Sequence, residues 1–230
     1  MSNSFSNIEL YYTPGKNISE DMVFLKHDEY KHAVKVMRNS IGSIIYITNG
    51  IGSIFKCEVV SIESNKLAAT ILEKYNSENG LQNIFFCIPK LKNPTRFKFA
   101  IEKCVELGIV NFIVFESERT VSKGTYILRW EKIILSAMKQ SLNSYKPNIQ
   151  SINSLAEIAK LNGKKIIFEQ NSDQEFKFHN DSTLDYYLIF GPEGGLTENE
   201  LNLFDTKVIY SLGDKRLRSE TAIVKVASML

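Results

Sequence analysis

The sequence predicts an α/β protein of two domains, a small β-rich domain followed by a larger domain built on a parallel sheet. Residues 8–75 contain short strands separated by tight turns, a pattern typical of a small barrel. From residue 83 onward, strands alternate with amphipathic helices, which is typical of a mainly parallel sheet covered by helices on both faces. Residues 76–82 are polar and contain a glycine, as a linker does. We therefore expect domains at 1–75 and 83–230, joined by a linker at 76–82.

The first domain begins with a predicted strand at residues 8–13. Asp28 is a candidate N-cap for a helix, and the residues predicted on its inward side are Tyr30, Ala33, Val34 and Met37. The remaining elements are strands at 43–48, 53–63 and 66–75. Asn49-Gly50 lies between the first two of these strands and is the strongest hairpin signal in the chain.

The second domain begins with a strand at 84–88 and a helix that Gly108 ends. The predicted inward residues of this helix are Phe97, Ala100, Ile101, Cys104 and Val105. A strand at 111–115 and a loop at 116–125 follow. The next helix has one apolar face made of Trp130, Ile133, Ile134, Ala137 and Met138. Ser154 caps a further short helix, and a strand at 164–168 completes this part of the chain.

Two loops near the C-terminus carry the strongest functional signal. The first, Gly191-Pro192-Glu193-Gly194-Gly195, follows the apolar run at 186–190. Its glycines let the backbone turn sharply and approach a ligand closely. Thr197 and Glu200 then form the pattern of a capping box that begins a helix. The loop lacks the Gly-Lys-Ser/Thr ending of a P-loop and the Gly-x-Gly-x-x-Gly spacing of a dinucleotide site. From these residues alone, a ligand loop and a turn that merely needs glycine both remain open.

The second loop runs from Leu212 to Arg218 and lies between a strand at 207–210 and a final helix at 219–230. It contains two of the six arginines of the chain, Arg216 and Arg218, beside Lys215. Arginine suits forked contacts with phosphate or carboxylate groups. Because ligands of open α/β sheets bind at the carboxyl ends of strands, we expect loops 191–195 and 212–217 to form one cleft with the end of strand 166–168.

Composition sets broad limits. The chain has 230 residues, of which 43% are hydrophobic, and a formal net charge of +2, which neither requires nor excludes a nucleic-acid partner. No apolar run reaches the ~18 residues of a membrane span, and the N-terminus lacks the features of a secretory signal. The cysteines at 57, 87 and 104 form no zinc spacing with the histidines. We expect a cytoplasmic protein with reduced thiols and no metal.

The two C-terminal loops, Gly-Pro-Glu-Gly-Gly-Leu-Thr at 191–197 and Leu-Gly-x-x-x-Leu-Arg-Ser-Glu-Thr-Ala at 212–222, resemble the signature of the RsmE-type methyltransferases. Weaker matches lie at 32–38, 41–42, 49–50, 89–90, 102–108, 117–120, 129–133, 140–141 and 147, so the resemblance spans almost the whole chain. That family, part of the SPOUT superfamily, methylates N3 of a uridine in 16S ribosomal RNA with S-adenosylmethionine. The resemblance implies a C-terminal SPOUT domain with a deep trefoil knot and an N-terminal PUA-like RNA-binding β-barrel.

The resemblance also implies a set of site residues. Those for the cofactor are Phe168, Glu169, Gly191, Pro192, Glu193, Gly194, Gly195, Leu212, Gly213, Leu217 and Thr221. Those for RNA are Lys35, Arg38, Lys90, Arg96, Arg119, Gln140 and Arg216. Arg218 is the candidate to hold a phosphate or stabilise charge on the uracil, and Glu220 or Glu193 to assist proton removal. Structural roles stay open for both glutamates, at a helix N-terminus or in an ion pair.

The chain departs from the family at two places. Asn143 stands where many members have arginine, and the basic Met-Arg start of many members is absent. These departures concern single RNA contacts. Two other functions remain open: a SPOUT methyltransferase that acts on a ribose 2′-OH or a transfer RNA base, and a non-catalytic RNA-binding protein.

We also expect a homodimer, because two helices have apolar faces larger than a single domain requires. The stripe of the final helix is Ala222, Ile223, Val226 and Met229, and the helix at 130–142 contributes Ile134, Leu135, Met138 and Leu142. The expected RNA substrate is small-subunit ribosomal RNA, either free or within an assembled subunit.

Overall fold

The structure, a computed structural model, describes residues 8–120, 124 and 126–230. The chain divides into two compact units, Met1–Asn79 with Met138–Lys146 and Gly80–Ala137 with Pro147–Leu230. The first unit therefore includes residues 138–146, which the sequence analysis assigned to the second domain. None of the helices in the described part of the chain is long and apolar enough to cross a membrane.

The first unit is built on a five-stranded sheet with the order β1-β3-β4-β5-β2. The strands are β1 (Leu10–Tyr12), β2 (Met22–Lys26), β3 (Ile44–Thr48), β4 (Ser53–Glu63) and β5 (Lys66–Asn76). β1 pairs in parallel with β3, and the other neighbours are antiparallel. The predicted strands are confirmed, and β2 was not predicted. Inward side chains such as Val23, Ile47 and Leu67 form the core of this unit.

The predicted hairpin at Asn49-Gly50 is confirmed. The Asn49 Oδ1 atom accepts hydrogen bonds from the backbone N–H groups of Ile51, at 2.9 Å, and Ser53, at 3.1 Å. The Gly50 φ of 75° suits a residue without a side chain, and a Cβ there would lie 2.8 Å from the Tyr12 ring. The asparagine side chain thus supplies the turn's hydrogen bonds while glycine supplies its backbone conformation.

The predicted helix of this unit begins two residues earlier than expected. α1 (His27–Lys31) follows β2 directly, with Lys26 as its N-cap, and continues as a π-helix over His32–Val36. The prediction that Asp28 is the cap was wrong, because His27 makes the strand-to-helix turn with a φ of 53°. Asp28 lies in the first turn, where its charge still favours the helix N-terminus. Met37 is exposed, since the wider π turn rotates it off the inward face.

Residues 138–146 are held in the first unit by polar contacts. The Lys139 ammonium lies 2.7 Å from the Glu29 carboxylate, and the Thr48 hydroxyl donates to the carbonyl of Ser144 at 3.0 Å. The Tyr145 hydroxyl donates to the carbonyl of Ser77 at 3.0 Å. The apolar pattern could not show these contacts, because they are made by polar side chains far apart in sequence.

The second unit is built on a six-stranded sheet with the order β11-β9-β10-β6-β7-β8, in which all pairs are parallel. The strands are β6 (Ile84–Pro89), β7 (Asn111–Phe115), β8 (Asn148–Ser151), β9 (Lys164–Phe168), β10 (Tyr186–Phe190) and β11 (Val208–Tyr210). The predicted α/β class is therefore confirmed. β8 was not predicted, because its four residues, Asn-Ile-Gln-Ser, contain a single apolar side chain.

The helices connect these strands. They are α2 (Pro94–Glu106), α3 (Ile127–Gln140), α4 (Leu155–Ala159), α5 (Glu198–Leu201) and α6 (Ser219–Ala227). Asn93 caps α2 by accepting hydrogen bonds from the backbone N–H groups of Thr95 and Arg96, and all five predicted inward residues of α2 are buried. Ser154 and Thr197 begin α4 and α5 as predicted, and both form capping boxes, of which the sequence indicated the one at Thr197.

The apolar stripe of α6 is mostly covered by its own chain. Ile223 and Val226 are fully buried, because α6 packs against α2 and β10. Ala222 is half-buried, and Met229 remains exposed. The stripe that supported the expected homodimer is thus mainly part of the core of the second unit.

Candidate active site

A cavity of the second unit lies at the carboxyl ends of β9 and β10 and has a volume of about 540 Å³. Its walls are residues 168–171, the loop at 191–195 and parts of the segment at 212–222. The expected cleft is therefore present, and it joins the three segments that the sequence analysis named. Phe168 and Phe190, stacked with their ring centroids 4.9 Å apart, contribute apolar surface.

The glycine loop turns tightly after β10. The Gly195 N–H donates to the Pro192 carbonyl at 2.9 Å, and the Gly195 φ of 71° is a conformation that favours glycine. A Cβ at Gly194 would lie 3.3 Å from the Arg119 side chain. The loop is thus closely packed against Arg119 on one side, and all five of its residues line the cavity.

Two side chains of α6 hold the loops of the cavity in place through hydrogen bonds. The Ser219 hydroxyl donates to the Gly191 carbonyl at 2.7 Å, which joins the start of α6 to the glycine loop. The Lys225 ammonium donates to the Leu212 carbonyl at 2.6 Å. One helix therefore positions both loops of the cavity.

Residues 117–120, after β7, are bound to the same region. The buried Glu200 carboxylate accepts hydrogen bonds from the Ser117 hydroxyl at 3.2 Å and from the Glu118 N–H at 3.0 Å. The Arg119 guanidinium donates to the Gly194 carbonyl at 2.5 Å. The capping box that begins α5 thus also fastens the loop of Arg119 to the glycine loop.

Glu169 places a carboxylate on the cavity wall at the end of β9. Burial raises its pKa above the usual value, while a hydrogen bond from the Leu196 backbone and the charge of Arg119 oppose that shift. Among the described residues its Oε1 atom is buried without a hydrogen-bond partner. A buried acceptor of this kind stabilises the protein only when a ligand or water donates to it.

The predicted cofactor residues are largely brought together. The cavity is lined by Phe168, Glu169, Gly191, Pro192, Glu193, Gly194, Gly195, Leu212, Gly213 and Leu217. Thr221 is exposed and is absent from the lining, where its neighbours Ser219 and Ala222 lie instead. The helical start of α6 at Ser219 explains this difference, because successive helix residues point about 100° apart. Gln170 and Asn171, which follow β9, also line the cavity, and they were not predicted because no motif marks them.

The three predicted catalytic residues occupy different places. Glu193 lines the cavity, and its Oε1 atom accepts a hydrogen bond from the Lys92 N–H at 3.2 Å. Arg218 is exposed at the N-cap of α6. Glu220 is buried with one oxygen 3.4 Å from Nε of Arg96, while Oε2 has no partner in the described part of the chain.

The predicted RNA-binding residues divide between the units. In the first unit, Lys35, Arg38 and Gln140 are exposed. In the second unit, Arg216 lines the cavity, and Arg96 and Arg119 contact Glu220 and Gly194 as described above. Lys90 differs from expectation, because it is 5% exposed and its ammonium lies 2.5 Å from the Glu116 carboxylate. It follows β6 directly and faces inward, so it cannot belong to a solvated basic face.

Comparison with known proteins decides the family. Residues 78–230 match the family described as "RNA methyltransferase domain", and residues 25–72 match "RNA methyltransferase PUA domain". A Mesomycoplasma hyopneumoniae protein named ribosomal RNA small subunit methyltransferase E is 30% identical, with 72% of this chain and 77% of that protein covered. The chain belongs to this methyltransferase E family. The Bacillus subtilis member is 28% identical over 85% of this chain and 84% of its own length.

Solved structures of similar proteins share the fold. A methyltransferase E from Neisseria gonorrhoeae, crystallised with S-adenosyl methionine, superposes with a TM-score of 0.85 at 24% identity, and 96% of each chain is covered. A probable rRNA-methyltransferase from Porphyromonas gingivalis gives 0.80 at 25% identity, again with 96% of each chain covered. The resemblance read from the two C-terminal loops is confirmed, and so is the presence of a PUA domain in front of the methyltransferase E domain.

Proposed function

We propose that this methyltransferase transfers a methyl group from S-adenosylmethionine to N3 of a uridine in 16S ribosomal RNA. The observation that carries the proposal is the cavity at the ends of β9 and β10, whose walls are the two signature loops of the family. Relatives of this chain carry the name ribosomal RNA small subunit methyltransferase E.

The residues of this cavity fit S-adenosylmethionine. The volume of about 540 Å³ lies within the ~300–1,000 Å³ of ordinary small-molecule sites. Glu169 offers a buried acceptor oxygen, without a partner in the part of the chain that the structure describes, to hydroxyl or amino groups. The backbone of residues 191–195 and 212–213 offers further polar groups. Phe168 and Phe190 provide apolar surface. We propose that these residues bind the cofactor, together with Pro192, Glu193 and Leu217.

When bound, this cofactor supplies an electrophilic methyl group on a sulfonium centre. The protein must present uracil N3 to it and remove the imide proton. N3 lies on the base-pairing edge, so the target nucleotide must be unpaired or withdrawn from its stack. We propose that Glu220 or Glu193 accepts the proton and that Arg218 stabilises the negative charge on the uracil oxygens. One Glu220 oxygen has no hydrogen-bond partner among the described residues, and Arg96 holds the other one in place.

We propose that the RNA binds through exposed cations of each unit. Lys35 and Arg38 of the PUA domain are exposed, as is Arg119 of the methyltransferase domain. Arg216 lines the cofactor cavity, where an incoming phosphate would bring the target nucleotide close to the methyl group. Gln140 adds an exposed amide. The substrate can be free RNA or an assembled subunit, and the cytoplasm is where either is found.

The finer architecture is also a proposal. In the PUA domain, the Thr13 hydroxyl, just after β1, donates to the Phe24 carbonyl of β2 at 2.9 Å, which supports closure of the sheet into a barrel. In the methyltransferase domain, the Ser211 N–H donates to the Gln174 carbonyl at 2.7 Å. Residues of the β9–β10 connection therefore lie beside Ser211, the residue that follows β11, and this neighbourhood supports our proposal that the final segment threads as a trefoil knot of the SPOUT kind. A crystal structure with β1 apart from β2, or with residues 212–219 outside that connection, would contradict these points.

We further propose that the enzyme is a homodimer. Because α2 and α6 both follow parallel strands and Arg96 lies beside Glu220, the two helices run side by side in the same direction. Three exposed apolar residues lie on this pair: Phe99 of α2, Leu107 at the C-cap of α2, and Met229 beyond α6. Exposed apolar residues of paired helices suit a two-fold contact, which buries the same surface on both copies.

The function is tested by methylation of RNA isolated from cells that lack the gene. Purified enzyme with S-adenosylmethionine labelled in its methyl group is expected to label 16S ribosomal RNA at a single uridine, as N3-methyluridine. Free RNA and assembled subunits are assayed separately. Label on a ribose, on a transfer RNA base, or on no RNA at all would overturn the proposal.

A further inference from the structure

We propose that a second cavity of the methyltransferase domain binds an unpaired base of the RNA substrate. This inference rests on the proposed function and extends it to the substrate. The cavity lies between Lys90, the start of α2 and the start of α3, and none of its lining residues belongs to the cofactor cavity. Its volume is about 180 Å³, below the ~300–1,000 Å³ of sites for whole small-molecule ligands. That size suits a single heterocycle.

Aromatic side chains form much of the cavity wall. The Trp130 ring lies 5.2 Å from the Phe97 ring and 6.5 Å from the Tyr126 ring, measured between centroids. Trp130 is 6% exposed, whereas Tyr126 is 54% exposed. The cavity therefore has a buried aromatic floor and an accessible aromatic ring, an arrangement on which a nucleic-acid base can stack.

Two cations of the lining complement a nucleotide. The buried Lys90 ammonium carries three N–H donors, and Glu116 accepts one of them at 2.5 Å. A donor facing the cavity can bind a base carbonyl, which uracil has and adenine lacks. Arg129 is exposed and also lines the cavity, where a guanidinium suits the phosphate attached to a bound base. The lining thus favours a carbonyl-bearing base in an anionic chain over an uncharged apolar ligand.

The position of the cavity suits the same substrate. Lys90 follows β6, and β6 pairs in parallel with β10, which carries the glycine loop. Neighbouring strands lie about 4.8 Å apart, so both cavities belong to one edge of the sheet. The Lys92 N–H donates to Glu193 at 3.2 Å and connects the two strand ends. One RNA strand that crosses this edge can place one base in the second cavity and present another nucleotide to the cofactor.

The experiment uses Trp130, the single tryptophan of the chain, as its reporter. Full-length protein is titrated with hexauridylate, hexaadenylate and an abasic strand of equal length, and binding is followed by tryptophan fluorescence and by the anisotropy of labelled strands. We expect hexauridylate to quench Trp130, hexaadenylate to bind more weakly, and the abasic strand to leave the fluorescence unchanged.

Variants test the individual contacts. Tyr126→Ala is expected to weaken hexauridylate binding about fivefold or more, the scale of one stacked base. Arg129→Gln is expected to lower the slope of log K against log salt by about 0.7. Lys132→Gln removes a cation from the same helix outside the cavity and is expected to bind like wild type. Lys90→Met is expected to reduce the preference for uridine over adenosine.

Strand binding without any change in Trp130 fluorescence would overturn the proposal, as would wild-type binding by both Tyr126→Ala and Arg129→Gln. Methylation of 16S ribosomal RNA is measured in parallel. If wild type methylates this RNA and both variants do so equally well, the cavity assignment fails while the proposed function stands. If hexauridylate quenches Trp130 but no RNA is methylated, the proposed function fails while the base site stands.

Discussion

The Glu220 carboxylate lies against Arg96, with Oε1 3.4 Å from the guanidinium Nε, while its buried Oε2 has no partner in the described part of the chain. An ion pair at one oxygen holds the side chain in one orientation, and the other oxygen makes no hydrogen bond to any described residue. Glu220 begins α6 and Arg96 lies in the first turn of α2, so the pair joins the two helices at the carboxyl edge of the sheet. The pair therefore has a structural role in joining the two helices, and the cavity lining includes the neighbours Ser219 and Ala222 rather than Glu220 itself.

We expect Glu220→Gln to lower kcat about 100-fold or more and to leave the affinity for S-adenosylmethionine unchanged. The amide keeps the size of the side chain but cannot take up the imide proton, and loss of a general base costs ~10²–10⁴ in rate. Steady-state methylation and calorimetric cofactor binding measure the two effects. Glu102→Gln, which breaks the Lys98–Glu102 pair on α2, is the matched control. A kcat within a few-fold of wild type would leave Glu220 with a structural role only.

Gly194→Val is expected to weaken cofactor binding at least tenfold without unfolding the protein. A Cβ there lies 3.3 Å from Cδ of Arg119, so the valine must displace Arg119 from the Gly194 carbonyl and shift the loop. Gly80→Val is the control, because a Cβ at Gly80 meets no described atom within 4 Å. Calorimetry measures cofactor binding, and circular dichroism measures whether the fold is retained. A folded Gly194→Val protein that binds the cofactor normally would contradict the assignment of this loop.

The sequence predicted the second unit more completely than the first. Inward residues of α2 repeat at helical spacing and all are buried, because one amphipathic face decides their environment. The glycine loop could also be identified from its own residues, because its backbone conformation restricts it to a few residue types. β8 gave no such signal, because its pairing with β7 depends on backbone groups, which every sequence has.

The site residues divide in the same way, into positions with a local sequence signal and positions that depend on long-range contacts. Positions fixed by short motifs, such as Gly191 and Gly213, line the cofactor cavity. Thr221 was predicted to line the cavity and is exposed, and Lys90 was predicted on the surface and is buried. The direction of a side chain depends on packing, which the neighbouring residues in the sequence do not determine. The helix phase of α6 directs Thr221 to solvent, and Glu116, which follows the next strand, draws Lys90 inward. Long-range pairs of this kind can be found only once the strand order is known.

Glu169→Gln is expected to raise the melting temperature at pH 7 and to leave it unchanged below about pH 4. Burial raises the pKa of Glu169 above its ordinary value of 4.5. The folded protein therefore binds this proton more tightly than the unfolded chain does, so stability falls as pH rises from that value through the raised pKa. The amide has no such dependence. Thermal unfolding of both proteins from pH 3.5 to 8 measures the difference in melting temperature. A difference that stays constant across this range would contradict the proposed cost of burying the Glu169 charge.

The double variant Lys35→Gln, Arg38→Gln is expected to bind target RNA more weakly and with a flatter salt dependence. Each phosphate contact contributes about 0.7 to the slope of log K against log salt for a single strand, so the slope should fall by about 1.4. Filter binding from 50 to 300 mM salt measures it. The control, Lys16→Gln with Lys74→Gln, removes two exposed cations from the same unit. An unchanged slope in the first variant would show that Lys35 and Arg38 are ordinary solvated charges.

The last prediction is that the enzyme is a dimer whose contact uses the outer surface of α2 and α6. Ile223 and Val226 are buried within the chain, so the contact must rely on Phe99, Leu107 and Met229, which are exposed. Light scattering at micromolar concentration is expected to give twice the 26.2 kDa of one chain.

Phe99→Glu with Met229→Glu should raise the dissociation constant at least tenfold, which is about 1.4 kcal/mol, because charges are costly in the apolar centre of a contact. Leu203→Glu, at another exposed leucine, is expected to remain dimeric. A stable particle of one chain for the wild type would disprove the dimer, whereas a dimer that tolerates both glutamates would place its contact on a different surface.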